Sequence, residues 1–295
     1  MPALLLLADH TGRLGNRLVL FSHVMAAAEE YRCRVINLSL ASASHFFDGL
    51  FRNPMGMYPP PRLRLPMGWF FRCLRRPIEA WIRGRKRKAG TASTPRTRWL
   101  TVLDVSHPPA CRMDSPEFKN LIEESLIVVL WGYWFRSPVL VKKHQSQLRR
   151  FFRFREASAV RSTQWLTVSR SGGKKVLCVH VRLDDAKGHP KLFMEPEYYA
   201  RAVNSFFQKE SRANWNVVVC SDEALDTHLF PECFLAAQPR NLVDDFAFMA
   251  GCDALIGYAS SLSIFSCFIS KKPFYRVQRE APFFMERTEA FFEIT

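Results

Sequence analysis

The residues of this chain best suited to chemistry stand together in one stretch, His180-Val181-Arg182-Leu183-Asp184-Asp185. A guanidinium beside an imidazole and paired carboxylates suggests an anion site, because arginine presents a planar fork of donors that matches phosphate oxygens. A surface ion pair between Arg182 and Asp185 is the plainer reading, and on this stretch alone the two stand level. Just before it, Val176, Leu177, Cys178, Val179 and Val181 follow the breaker Ser171-Gly172-Gly173. A short apolar run bounded by turn residues reads as a buried strand of a parallel sheet. The polar cluster then falls at the strand's carboxyl end, where open α/β sheets collect their ligands.

Three more groups have the same character. Asp9-His10-Thr11-Gly12-Arg13-Leu14-Gly15-Asn16 joins a strand over 3–8 to a helix marked by Leu18, Phe21, Val24, Met25 and Ala28, with a second strand over 34–38. Its glycines let backbone N–H groups approach a ligand, and a helix N-terminus favours negative charge. The loop lacks the full GxGxxG pattern, so no dinucleotide site is assigned. Ser221-Asp222 ends a strand over 216–220. Ser260-Ser261-Leu262-Ser263 opens an apolar helix reaching Ile269. Serines there are ordinary N-caps, but hydroxyls at a helix mouth beside an arginine also hold a diphosphate without metal. A sugar transferase with a nucleoside-diphosphate donor needs such donors, since charge grows on its leaving group as the sugar–oxygen bond breaks.

The elements that must position these groups alternate. Strands are expected over 101–105, 127–130, 254–257 and 274–277, with helices over 141–154, 197–208 and 242–250. Ser115-Pro116-Glu117 marks a further helix start. This order implies parallel sheets with right-handed crossovers. The expected architecture is α/β, two Rossmann-like domains facing a cleft, over 1–170 and 171–295, divided at the polar stretch 169–173.

The chain has 295 residues, 48% hydrophobic, and a net charge of +15. Twelve Lys/Arg and one acid, Glu79, fall between Arg62 and Arg98, so that segment carries +11. It lies in an insertion over 53–100 that Pro54, Pro59, Pro60 and Pro61 open. Trp69, Phe70, Phe71, Leu74, Ile78, Trp81 and Ile82 interleave with the cations. A basic helix with such aromatics lies on an anionic bilayer, or else the segment is a solvated loop packing on its domain. No reading motif accompanies the charge, so nucleic acid is not expected as a partner. The eight cysteines form no CxxC pair, which suits a reducing compartment. No HExxH or Cys/His cluster occurs, and the acid pairs Asp184-Asp185 and Asp244-Asp245 are too common on loops to assign a metal. Met1 to Ala8 is too short for a signal or a span, and no run reaches about 18 apolar residues. The expectation is a soluble or peripheral protein.

The sequence resembles the bacterial α-1,2-fucosyltransferases, within the wider group of α-1,2-, α-1,6- and protein O-fucosyltransferases. Gly12-Arg13-Leu14-Gly15-Asn16 is similar to the family's GRLGNQ, with Arg17 in place of Gln. Gly132-Tyr133-Trp134 with Ser137 resembles GYWQS, and Phe152-Arg153-Phe154-Arg155-Glu156 its F-x-F-R-E. His180, Arg182 and Asp185 match three positions of HxRRxD. Glu197-Tyr198-Tyr199 and Ser221-Asp222 match the helix and strand end that follow. Asp245, Met249 and Cys252 fit D-x-x-x-M-x-x-C, and Ser260, Ser261 and Ser263 fit NSSFSWW.

The resemblance implies a GT-B-like fold, an inverting transfer from GDP-fucose held mainly by the C-terminal domain, and no metal or other cofactor. Arg182 would contact the diphosphate, with His180 and Asp185 ordering its loop. Ser221, Asp222, Asp245, Ser260, Ser261 and Ser263 would line the donor site. Gly12, Arg13, Gly15 and Asn16 would approach from the N-terminal domain. The acceptor would be a cell-surface glycan precursor, a lipid-linked saccharide included, at the cytoplasmic membrane face, reached through residues 62–98. Leu183 in place of the second arginine, Ala259 in place of Asn and Ile264-Phe265 in place of the Trp pair leave donor sugar and linkage open. The alternatives are another nucleoside-diphosphate sugar, or a catalytically silent glycan- or membrane-binding module. Asp9, His10 and Asp185 are candidates for the general base that an acceptor hydroxyl requires.

Overall fold

A computed structural model describes residues 3–8, 12–43, 45–51, 53, 55–61, 77, 80–81, 84, 99–183, 193–236, 242–258, 260–279 and 286–288. The chain divides into two units, one built on residues 1–155 and one on 156–291.

In the first unit the described elements are β1 (Leu4–Leu7), α1 (Leu14–Tyr31), β2 (Arg34–Asn37), β3 (Leu100–Val105), β4 (Cys111–Arg112), α2 (Pro116–Glu124), β5 (Ile127–Gly132), β6 (Phe135–Arg136), α3 (Pro138–Lys143) and α4 (Gln145–Phe151). Strands β2-β1-β5-β3 form one parallel sheet in that order. Helix α1 is buried from Leu18 through Ala28 on every face, as a helix apolar all round must be. The helix expected over 141–154 is two short ones, broken at His144, whose φ of −101° and ψ of 17° are not helical. The break lets Lys143 and His144 both reach Glu30 of α1, at 2.7 Å each. The Lys143 and His144 bonds hold the Glu30 carboxyl below its usual range.

The second unit contains α5 (Glu156–Ser169), β7 (Lys175–Val181), α6 (Pro196–Phe207), β8 (Trp215–Ser221), β9 (Phe234–Leu235), α7 (Leu242–Gly251), β10 (Ala254–Gly257), α8 (Ser261–Ser270), β11 (Phe274–Arg276) and β12 (Glu286–Thr288). Its sheet runs β12-β11-β10-β7-β8-β9. All pairings are parallel except β11 with β12. Helix α6 covers one face, where Tyr199, Val203 and Phe206 pack on Val179, Val181, Val217, Val219 and Ile256.

The division falls at 155/156, whereas the sequence suggests 170/171. The reason is α5, which carries no apolar stripe and buries only Ser162. It docks on α7 through a few scattered contacts, among them the Trp165 ring edge-on to Phe248 at 6.3 Å. The Ser162 hydroxyl donates to the Asp244 carbonyl at 2.9 Å, and Arg161 pairs with Asp244 at 3.2 Å. Leu166 lies where a Cβ on Gly251 would be, so glycine permits the close approach. The polar stretch 169–173 is a turn inside the second unit, with Gly172 and Gly173 at φ of 70° and 71°.

Among the described residues, no helix is long and apolar enough to cross a membrane. The basic segment 62–98 lies outside them except Pro77, Ala80, Trp81 and Gly84, all helical. Trp81 is 46% exposed.

Candidate functional site

Strand β7 is the point at which the second sheet reverses its growth. The chain adds β8 on one side of β7 and later β10 on the other. Crossovers therefore leave on opposite sides, which makes the carboxyl ends of β7 and β10 the switch point at which open α/β sheets take ligands. Val181, Ser221, Gly257 and Arg276 end their strands at this edge.

Two struts shape it. His180 Nδ1 lies 2.5 Å from Ser263 Oγ, joining the end of β7 to the first turn of α8. The backbone N–H of Leu183 donates to Asp222 Oδ1 at 2.8 Å, joining the chain after β7 to the end of β8. Between these struts Arg182 is half-buried. Strand alternation explains the arrangement. Val181 and Leu183 turn toward α6 and enter its core, Leu183 being 6% exposed. His180 turns the other way, toward α8. Position 183 therefore serves packing.

Helix α8 begins at Ser260, whose side chain does not cap it, and its first turn contains no acid. Unfilled N–H groups at such an end favour an anion. Ser260 is buried and Ser261 half-buried. Ser263 is fully buried and bonded to His180, so its hydroxyl acts as a strut behind the edge. Ser221 Oγ accepts from the Glu223 N–H at 3.2 Å, closing the turn after β8. Asp245 sits half-buried in the first turn of α7. Burial pushes the Cys178 thiol up, the Cys220 thiol opposes this, and Cys252 and then the Asp245 charge add to it. Asp185 and Ala259 lie outside the described residues, as do Asp9 and His10.

Beneath the edge, Cys178 and Cys220 place their sulfurs 3.9 Å apart. The seven described cysteines are thiols, in no disulfide. Among the described residues, no three His, Cys, Asp or Glu side chains converge as metal ligands would.

The glycine loop of the first unit is built differently. Gly12 has φ of 71°, and a Cβ there would stand 2.5 Å from Asn16 Nδ2. Glycine is thus required both by backbone conformation and by the seat of Asn16. Arg13 is exposed at the start of α1, while Gly15 is buried. Arg17, the departure from the family's Gln, donates through Nε to the Gly12 carbonyl at 3.0 Å and through a terminal nitrogen to Ser39 at 3.3 Å.

The sequence reading gives several residues here no role. Tyr199 is fully buried, and its hydroxyl has no hydrogen-bond partner among the described residues. Burial pushes its phenol well up, while the backbone and charge of nearby Arg182 oppose this. Arg136 is 6% exposed. One nitrogen donates to the carbonyls of Tyr133 and Phe135 at 2.8 and 2.9 Å, and the guanidinium lies over the Tyr133 ring at 4.4 Å. Next to it, the Ser137 N–H donates to His23 Nδ1 at 3.0 Å. Burial, then the Arg136 charge, holds His23 well below the usual imidazole range. Only the motif around 132–137 hinted at this cluster.

No protein-family model matches the chain, and no curated protein matches it. Solved structures do. A point mutant of Arabidopsis thaliana FUT1 in complex with GDP matches with a TM-score of 0.60 at 12% identity, over 95% of this chain and 72% of that one. POFUT1 in complex with GDP gives 0.55 at 14% identity, over 92% and 95%. NodZ α-1,6-fucosyltransferase soaked with GDP-fucose gives 0.51 at 15% identity, over 94% and 95%. This chain thus has the GT-B-like α/β fold of those structures.

Proposed function

We propose that the protein is an inverting glycosyltransferase that moves L-fucose from GDP-fucose to a saccharide hydroxyl, in an α-1,2 linkage. The observation that carries this reading is the edge of the second sheet, where Arg182 follows His180 and His180 bonds the first turn of the uncapped α8, on a fold shared with GDP-bound structures. The second unit would hold the donor and the first the acceptor. The acceptor hydroxyl attacks the anomeric carbon from the side opposite the diphosphate. The sugar–oxygen bond breaks, its electron pair leaves with GDP, and the hydroxyl proton passes to a base, for which Asp9, His10 and Asp185 remain candidates. Arg182 and the α8 N–H groups meet charge that grows along this path, which is where preorganised donors lower a barrier. The reading requires no metal or other cofactor.

Leu183 favours a second reading, a different nucleoside-diphosphate sugar, because its burial leaves the edge without the family's second arginine at that position. Melting curves with GDP-fucose, GDP-mannose and UDP-sugars separate the two. A rise confined to GDP-fucose supports the first, a rise confined to another donor replaces it, and no rise with any leaves a silent module.

The charge of 62–98 and the exposure of Trp81 support a peripheral seat on an anionic membrane, with a lipid-linked acceptor at the cytoplasmic face. Deleting 62–98 should abolish binding to phosphatidylserine vesicles and spare donor affinity. Unchanged vesicle binding would reject this seat.

A further inference from the structure

We propose that Arg276 is a second diphosphate-binding residue of this edge, supplying from β11 the cation that Leu183 does not. The inference rests on the nucleotide-sugar reading above. Arg276 is the last residue of β11 and pairs in register with Gly257, which pairs in turn with His180. The three therefore stand level across adjacent strands, each about 4.8 Å from the next.

The face on which Arg276 projects follows from its neighbours. Tyr275 packs on Phe206 of α6 with ring centroids 5.3 Å apart, and Val277 belongs to the same α6 core. Phe274 lies on the opposite face, against Gly257, where Ser263 of α8 also approaches. Side chains alternate along a strand, so Arg276 shares the α8 face with Phe274 and with His180, which bonds Ser263. A guanidinium is thus delivered to the start of α8 from the side opposite β7.

Arg276 is only partly exposed. Its Nε is sealed from water and, among the described residues, has no hydrogen-bond partner. Buried donors are nearly always satisfied, and leaving one unmade costs stability. A donor kept dry and unused at a ligand edge is one that a ligand completes. A diphosphate over the first turn of α8 has oxygens on both flanks, so Arg182 and Arg276 can each bind it.

Titration calorimetry of the full chain with GDP and with guanosine tests this. Arg276→Ala and Arg276→Gln should each weaken GDP roughly ten- to a hundredfold, the scale of a lost charge-assisted hydrogen bond. Guanosine affinity should stay put, and Arg276→Lys should recover part of the GDP loss. If both variants bind GDP within twofold of wild type, the assignment to Arg276 fails and the donor reading stands. Equal losses for GDP and guanosine would mean a structural role and would also overturn it. A wild-type chain that binds no GDP overturns both.

Discussion

The two sheet edges of this molecule use their charged groups in opposite ways. In the first unit cations brace the chain. Arg17 ties the glycine loop to Ser39, and Arg136 is consumed by two carbonyls and an aromatic ring. In the second unit the bracing comes from His180 on Ser263 and from Asp222 on a backbone N–H. The Arg276 side chain there takes no part in it. An arginine near a strand end is therefore not a binding residue by type. What sets Arg276 apart is a buried Nε that no described residue satisfies, where Arg17 and Arg136 each spend donors on backbone carbonyls.

The largest expected effect that tests this contrast is on stability. Arg136→Met should cost about 1–3 kcal/mol in urea unfolding, because it takes the Arg136 donor from the buried Phe135 carbonyl and leaves the Tyr133 carbonyl with the Phe135 N–H alone. GDP affinity of the folded fraction should not change. A variant as stable as wild type would contradict the bracing role.

A smaller effect concerns pH. His23 must stay neutral to accept from Ser137, and its folded pKa is depressed. Below its ordinary value near 6.5 the unfolded chain takes up a proton that the folded chain refuses. Stability is therefore whole above that pH and declines as pH falls below it, by up to about 1.4 kcal/mol per unit. His23→Asn, which keeps an acceptor but does not titrate, should flatten the melting temperature between pH 7 and pH 5. An unchanged slope would show that His23 is not its source.

Much of the fold was legible because strand and helix periods alternate cleanly from 176 onward, where the strands over 176–181, 216–220, 254–257 and 274–277 are short, apolar and bounded by turn residues, whereas the short β9 and the polar β12 carry no such signal. Helix α5 was not, since it packs through a serine, an arginine, one tryptophan ring and a leucine against a neighbour's glycine, and these leave no clear period. Arg182, His180 and Asp222 could be picked out because a polar cluster follows a strand directly. Arg276 could not, because its place depends on the register of β11 against β10, which no local pattern encodes. Ser263 reads as a helix-mouth hydroxyl in sequence. Only the structure turns it inward to His180.

The account stands or falls on the residue after β7. GDP release from GDP-fucose in the presence of a saccharide acceptor, compared between wild type and Arg182→Ala, should drop on the order of a hundred- to a thousandfold with the melting temperature retained. Equal release by the two proteins would contradict it.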